Sequence, residues 1–212
     1  MSVGKIESAD IKEVVEVHHQ SFRGYINTCI GKNYTFGFFR WFIGYSDSVT
    51  LKVSSDNGVV GYVVGAKIGY NAELNKHLKP LAIKGVLLNL SVLFHKNFLF
   101  ILKSRIKALL SFSKKTSSQV KDPDGKGLSL VGIGILPSEA GKGYGKDLMK
   151  AFEEKAIELG YDYLRLSVYK SNERAMALYS KQGWRSVETE TPILYFYKEF
   201  KNNHVFLTDL GG

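Results

Sequence analysis

The chain has 212 residues, 44% of them hydrophobic, a formal net charge of +9 and one cysteine, Cys29. That length suits one sizeable domain with its own core, and a lone cysteine excludes both an intrachain disulfide and a metal site built on several thiolates. The opening MSVGKIESADIKEVVEVHH mixes charge into every turn and lacks the continuous apolar run of a secretory signal, so a reducing, cytoplasmic setting is expected.

Taken in chain order, Ile6 is read as starting a short strand, and Asp10 as the cap of a helix to about residue 22 with Ile11, Val14, Val15 and His18 on one face. An aromatic-rich helix is expected over 34–45. Two strands follow, 49–54 and 59–68, around Asp56-Asn57-Gly58, whose residues tolerate the left-handed region and so favour a tight hairpin. The next segment, 71–127, holds eleven Lys and Arg against Glu73, Asp122 and Asp124, so it carries +8 of the total +9. Within it, 81–112 is rich in leucine and phenylalanine and is read as two helices meeting near Lys96 and Asn97, followed by a Ser/Lys/Asp/Gly tail over 111–127. Lys84, Lys96, Lys103, Arg105 and Lys107 interrupt every window of about 18 residues that could span a membrane.

From Leu128 the pattern becomes strand (128–136), helix (142–159, stopped by Gly160), strand (163–169), helix (172–182, stopped by Gly183) and two last strands near 184–188 and 193–200. Strands alternating with helices imply a sheet with parallel pairs, hence an α/β (α+β) domain over 1–212 with 71–127 as a basic helical insertion.

The stretch ILPSEAGKGYGKDLMKAFEEKA (135–156) places Gly141, Gly143 and Gly145 between a strand and a helix. A glycine-rich turn feeding a helix exposes backbone N–H groups at the positive end of the helix dipole, a site for phosphate. Gly145-Lys146 is followed by Asp147 and preceded five residues earlier by Ala140, so the turn is not a nucleotide P-loop; the third glycine comes one residue early for a dinucleotide fingerprint.

The spacing resembles instead the xxGxG turn of the GNAT family of N-acetyltransferases. LVGIGILPSEAGKGYGKDLMKAF is similar to that family's acyl-CoA motif, and VYKSNERAMALYSKQGW to its second motif, with Asn172, Ala175, Leu178, Tyr179, Gly183 and Trp184 in order. The resemblance covers 128–200 well and the N-terminal part loosely. It implies a GNAT fold, a mixed central sheet of about seven strands flanked by helices, and acetyl-CoA as cosubstrate with no metal. By the same resemblance Gly141, Lys142, Gly143, Tyr144, Gly145 and Lys146 hold the pyrophosphate, Ile135 and Leu136 supply backbone donors to the pantetheine and the acetyl oxyanion, Asn172 helps hold the cofactor, and Tyr179 protonates the leaving sulfur. Where the family turn begins with Gln or Arg this chain has Ala140, which removes one side-chain contact to phosphate.

Asn172 and Tyr179 are seven residues apart, nearly two helical turns or about 10 Å, and so share a face. A general base is not identified: 128–137 contains no Asp, Glu or His, which leaves His18, His19, Glu188, Glu190 or a backbone-held water. Such a site suits a small amine or an amino sugar; a protein N-terminus or lysine, and a non-catalytic acyl-CoA sensor, are the alternatives. Lys96, Lys103, Lys107 and Lys114 recur opposite Leu99, Leu102, Ile106 and Leu109, an amphipathic pattern that fits a solvated face, an anionic acceptor or peripheral membrane contact. Nucleic acid is disfavoured, because Phe94, Phe98, Phe100 and Phe112 sit in apolar runs rather than between the lysines.

Overall fold

The computed structural model describes residues 2–56, 58–94 and 122–200. The elements are β1 (Ser2–Lys5), α1 (Ile11–Ser21), α2 (Ile26–Ile30), α3 (Lys32–Gly44), β2 (Ser48–Ser55), β3 (Gly58–Lys67), α4 (Asn71–Leu88), β4 (Gly127–Ile135), α5 (Tyr144–Glu158), β5 (Tyr163–Tyr169), α6 (Glu173–Lys181), β6 (Arg185–Val187) and β7 (Ile193–Glu199). They build a seven-stranded sheet of order β1-β2-β3-β4-β5-β7-β6, antiparallel except for β4 against β5. This is the mixed α+β sheet expected of the GNAT fold.

Each face of the sheet buries its own core. On one, Leu148, Met149, Phe152 and Ala156 of α5 pack with Tyr179 of α6 over Val63, Leu128, Leu164 and Phe196. On the other, Val14, Val15 and Val17 of α1 and Phe39 and Phe42 of α3 pack over Tyr62, Val64 and Ala66. The apolar positions of α1 recur at helical spacing, which is why it forms and which face it hides. Gly65 is required by this packing: a Cβ there would lie 2.4 Å from the Phe152 ring and 2.6 Å from the Ser129 carbonyl. At the β2–β3 hairpin Gly58 has φ +102°, and Glu13 of α1 accepts from the Val59 N–H at 2.9 Å; Asn57 lies outside the described residues.

Three expectations need correction. Ile6 follows the first strand rather than opening it; it stays tied to the sheet through its N–H to the Thr50 carbonyl at 3.1 Å. The short helix α2, INTCI between Tyr25 and Gly31, was unforeseen, since five residues show no period. The helical part of the insertion begins at Asn71, ten residues before the expected 81, and runs through Pro80. Pro80 is tolerated on the exposed side of α4, while Leu74, Leu78, Leu81 and Gly85 form the inner stripe. That stripe seats closely because Gly37 of α3 faces Leu81 and Gly85 faces Ile30 of α2. The helix expected from Lys96 onward, its cationic face and most of the 111–127 tail lie outside the described residues. Among the described residues no helix is long and apolar enough to cross a membrane.

Candidate active site

The site follows from a divergence in the centre of the sheet. β4 and β5 pair only at Gly127–Tyr163, Leu128–Leu164 and Ser129–Arg165, after which they part. On the other side β4 stays paired to β3 through Ile135, with an irregularity where Val131 is skipped between Leu130 and Gly132. A bulge of this kind increases local twist and bends the strand away from its neighbour. The gap becomes a groove of about 980 Å³, lined by Leu130 to Ile135 of β4, Leu166 to Tyr169 of β5, Ser21, Phe22 and Tyr25, the 139–146 turn and α6.

Register decides which backbone groups face this groove. The Leu136 N–H donates to the Val60 carbonyl at 2.9 Å, so the Ile135–Gly61 pair is the non-hydrogen-bonded kind, and by alternation so is Ile133–Val63. The amides of Ile133 and Ile135 therefore point away from β3 into the gap that β5 has left. Leu136 is corrected by this: its N–H is already used in the sheet and cannot hold an oxyanion. The amide of Ile133, not singled out from the sequence, is directed into the gap beside that of Ile135. The Ile135 carbonyl accepts from Ser21 Oγ at 2.8 Å, a hydroxyl that also lies 2.7 Å from the Val17 carbonyl. Ser21 thus ties the end of α1 to the end of β4.

At the turn, Gly141 has φ +87° and Gly143 φ +92°, the left-handed region that other residues enter at a cost. Gly143 caps α5, accepting from Lys146 at 2.9 Å and Asp147 at 3.2 Å, while the amides of Tyr144 and Gly145 in the first turn have no intrahelical acceptor. Gly145 itself is helical. Its open side, where a Cβ would stand 3.9 Å from Ile135 and Leu178, keeps the backbone close to the groove. Lys146 lines the groove, whereas Lys142 is exposed and pairs at 3.0 Å with Glu139, which lines it. Ala140 is exposed on the rim in an extended conformation.

On α6, Asn172 and Tyr179 both line the groove. The Asn172 side chain accepts from the Ala175 N–H at 3.2 Å and so caps the helix, which leaves its NH₂ and a second lone pair on Oδ1 for a ligand. Tyr179 is 6% exposed, its ring 5.5 Å from Phe196 and 5.9 Å from Trp184. Trp184 is held in turn by its N–H to Glu153 at 2.8 Å, and Glu153 by Lys198 at 2.7 Å. Burial pushes the Tyr179 phenol up to about 12, so it stays protonated at any working pH. Among the described residues its hydroxyl makes no hydrogen bond, and Tyr179 is one of the residues that line the groove.

None of the four candidate bases lines the groove. His18 sits in the second core with its Nδ1 2.6 Å from the Tyr62 hydroxyl, and burial, with a smaller contribution from His19, lowers it to about 4. His19 is hydrogen-bonded to Thr35 at 3.0 Å and is also lowered, chiefly by burial. Glu188 pairs with Lys170 at 3.0 Å and Glu190 is exposed. Glu139 is the one carboxylate lining the groove among the described residues, beside the cations Lys146, Arg174 and Lys181. Among the described residues no group of three or more His, Cys, Asp or Glu could hold a metal ion.

The histidine geometry has a measurable outcome. A folded-state pKa of about 4 against the unfolded 6.5 means that the unfolded chain takes up a proton first as pH falls. His18 therefore contributes stability that is complete above pH 6.5 and lost between 6.5 and 4, by about 3 kcal/mol. Denaturant unfolding across that window should show the loss, and His18→Gln, which does not titrate there, should flatten it. An unchanged slope in the variant would assign the dependence to other groups.

The Acetyltransferase (GNAT) family model matches residues 94–184. Comparison with curated protein sequences finds no match. Among solved structures, the PaiA N-acetyltransferase from Thermoplasma acidophilum in complex with coenzyme A is similar at 15% identity and TM-score 0.59, over 94% of this chain and 100% of that one. The aminoglycoside antibiotic 6'-N-acetyltransferase from Acinetobacter haemolyticus is similar at 11% identity and TM-score 0.57, over 90% and 95% of the two chains. The ribosomal-protein-S18-alanine N-acetyltransferase from Escherichia coli is similar at 11% identity and TM-score 0.52, over 95% and 97%. The family match runs through β4, the glycine turn, α5, β5 and α6, and the fold is shared with these solved N-acetyltransferases, so the chain is similar to the GNAT acetyltransferases in sequence over 94–184 and in fold.

Proposed function

We propose that the chain transfers an acetyl group from acetyl-CoA to the primary amine of a small, weakly basic acceptor such as an amino sugar. The observation that carries this is the gap between β4 and β5, with the Ile133 and Ile135 amides directed into it. In this reading the left-handed glycines and the free amides of Tyr144 and Gly145 bind the pyrophosphate, helped by Lys146. The Ile133 and Ile135 edge pairs with the extended pantetheine arm, and the end of that edge stabilises the thioester oxyanion. The amine enters from the side of Ser21, Phe22 and Tyr25.

The neutral amine attacks the thioester carbonyl carbon, the C–S bond breaks, and the amine proton passes to water. Tyr179 donates a hydrogen bond to the sulfur as thiolate develops. A phenol at about 12 is a weaker acid than a thiol near 8.5, so hydrogen-bond donation during bond cleavage fits better than complete proton transfer beforehand.

The charges on the groove favour this acceptor over a polycation. Three cations line it against one carboxylate that Lys142 already engages, so a polyamine or a lysine-rich peptide meets repulsion where an uncharged or anionic molecule does not. With no imidazole lining the groove among the described residues and its one carboxylate, Glu139, paired with Lys142, an amine that is already partly neutral at pH 7 needs the least help. Thiol release from acetyl-CoA should be measured against amino sugars, nucleotide-linked amino sugars, polyamines, amino acids and peptides with free N-termini. Turnover is expected to be highest with the sugar amines; a preference for polyamines or for peptides would overturn the acceptor class and leave the cofactor site standing.

A further inference from the structure

Of the twelve exposed large apolar side chains among the described residues, six fall within residues 83–94. Ile83, Leu87 and Leu88 belong to α4, and Leu90, Leu93 and Phe94 to the 3-10 turn that follows it. Three of them are mostly exposed: Leu87 is 69%, Leu88 67% and Phe94 85% exposed. The inner stripe of α4 already has its partners in α2 and α3, so these residues form a second apolar face with no protein against it among the described residues. Lys76, Pro80, Ile83 and Leu87 follow one another along the outer side at helical spacing, with Lys79 and Lys84 on either flank. All three lysines are exposed, and none forms an ion pair among the described residues.

Apolar side chains in line between lysines suit a surface that is hydrophobic inside and negatively charged at its boundary. A second copy of this chain brings the same +9 and the same lysines to the contact, which opposes self-association. The chain's own 95–121 stretch has seven Lys and Arg and no acidic residue, so it too adds charge of the same sign. We propose that the 83–94 face, with Lys76, Lys79 and Lys84, docks on an anionic phospholipid surface, the leucines and Phe94 entering the headgroup boundary and the lysines meeting lipid phosphates. The end of α4 is fixed to α2 by Asn89 Nδ2 donating to the Ile30 carbonyl at 3.2 Å, and Tyr25, the residue before α2, lines the groove. Docking there sets the Tyr25 end of the groove beside the lipid surface.

The test uses the full chain and two vesicle types, phosphatidylcholine alone and phosphatidylcholine mixed with phosphatidylglycerol. Co-sedimentation is expected with the anionic vesicles only. Replacing Lys76, Lys79 and Lys84 with Gln should weaken binding by about five-fold per lysine at low salt, and added salt should shrink that difference. The triple variant Ile83→Ser, Leu87→Ser, Phe94→Ser should weaken it by about ten-fold or more, with coenzyme A affinity and melting temperature retained as evidence of an intact fold. The proposal is overturned if wild type ignores both vesicles, binds them equally, or is bound no better than the variants. It is also overturned if the serine variant melts several degrees lower, which shows the face covered by the chain itself, or if it turns a dimer into a monomer in sedimentation velocity.

Discussion

Replacing Tyr179 with phenylalanine is expected to lower turnover by roughly ten- to a thousand-fold while leaving coenzyme A affinity within about two-fold of wild type. The asymmetry follows from where the residue's two parts lie. Its ring packs between Phe196 and Trp184, contacts that phenylalanine keeps, so fold and groove shape persist. Only the hydroxyl is lost, on a residue that lines the groove. The substrate thioester has little need of a donor at sulfur, whereas the developing thiolate does, so the loss belongs in kcat rather than in binding. Because burial holds the phenol near 12, wild-type activity should not decline around pH 10 through its ionisation. A fully active phenylalanine variant would place the donor elsewhere, and equal losses of affinity and rate would make Tyr179 a positioning residue.

Gly143→Asp is expected to weaken coenzyme A binding by about a hundred-fold in calorimetry, with a smaller fall in melting temperature. Two effects combine. At φ +92° a side chain strains the backbone, at about 1–2 kcal/mol. The new carboxylate also stands at the N-terminus of α5, where phosphate is to bind, and its Cβ would lie 4.0 Å from the Asp147 carboxylate, adding repulsion. Gly143→Asn separates the two, since it brings a similar backbone cost without the charge. If Asn binds coenzyme A nearly normally and Asp does not, charge at the helix terminus is the cause. Unchanged affinity in both would move the pyrophosphate away from this turn.

What could be read from the sequence was what depends on local pattern. The β2–β3 hairpin, α1, β5 and α6 announce themselves through alternation, helical spacing, Asn172 as cap and Gly183 as stop. The glycine turn was legible because spacing separates it from other phosphate loops, although the sequence does not say that Gly141 and Gly143 need the left-handed region while Gly145 needs only room. Tertiary information was out of reach. Leu136 and Ile133 look alike in sequence, and only the register with β3 shows that one amide is engaged and the other free. Ser21 and Tyr25 reach the groove through the packing of α1 and α2, with no motif to mark them. Likewise His18 looked available on its helix face until Tyr62 closed over it.

The parting of β4 and β5 gives this protein two sheet edges that face each other inside the molecule instead of facing bulk solvent. Unpaired strand edges at the outside of a sheet are hazards, since any extended chain can add to them and seed aggregation. Here the edges lie between flanking rims supplied by the glycine turn, α6 and the end of α1, and β5 is fully paired to β7 on its far side. A foreign β-strand, with side chains on both faces and neighbours at about 4.8 Å, is broader than a single unbranched chain and has to fit between those rims to add to either edge. A slender linear molecule carrying amide groups can enter and use the same donors and acceptors. One break in one pair of strands thus sets the donors and acceptors of an open edge inside the molecule, between rims, rather than at the outer boundary of the sheet.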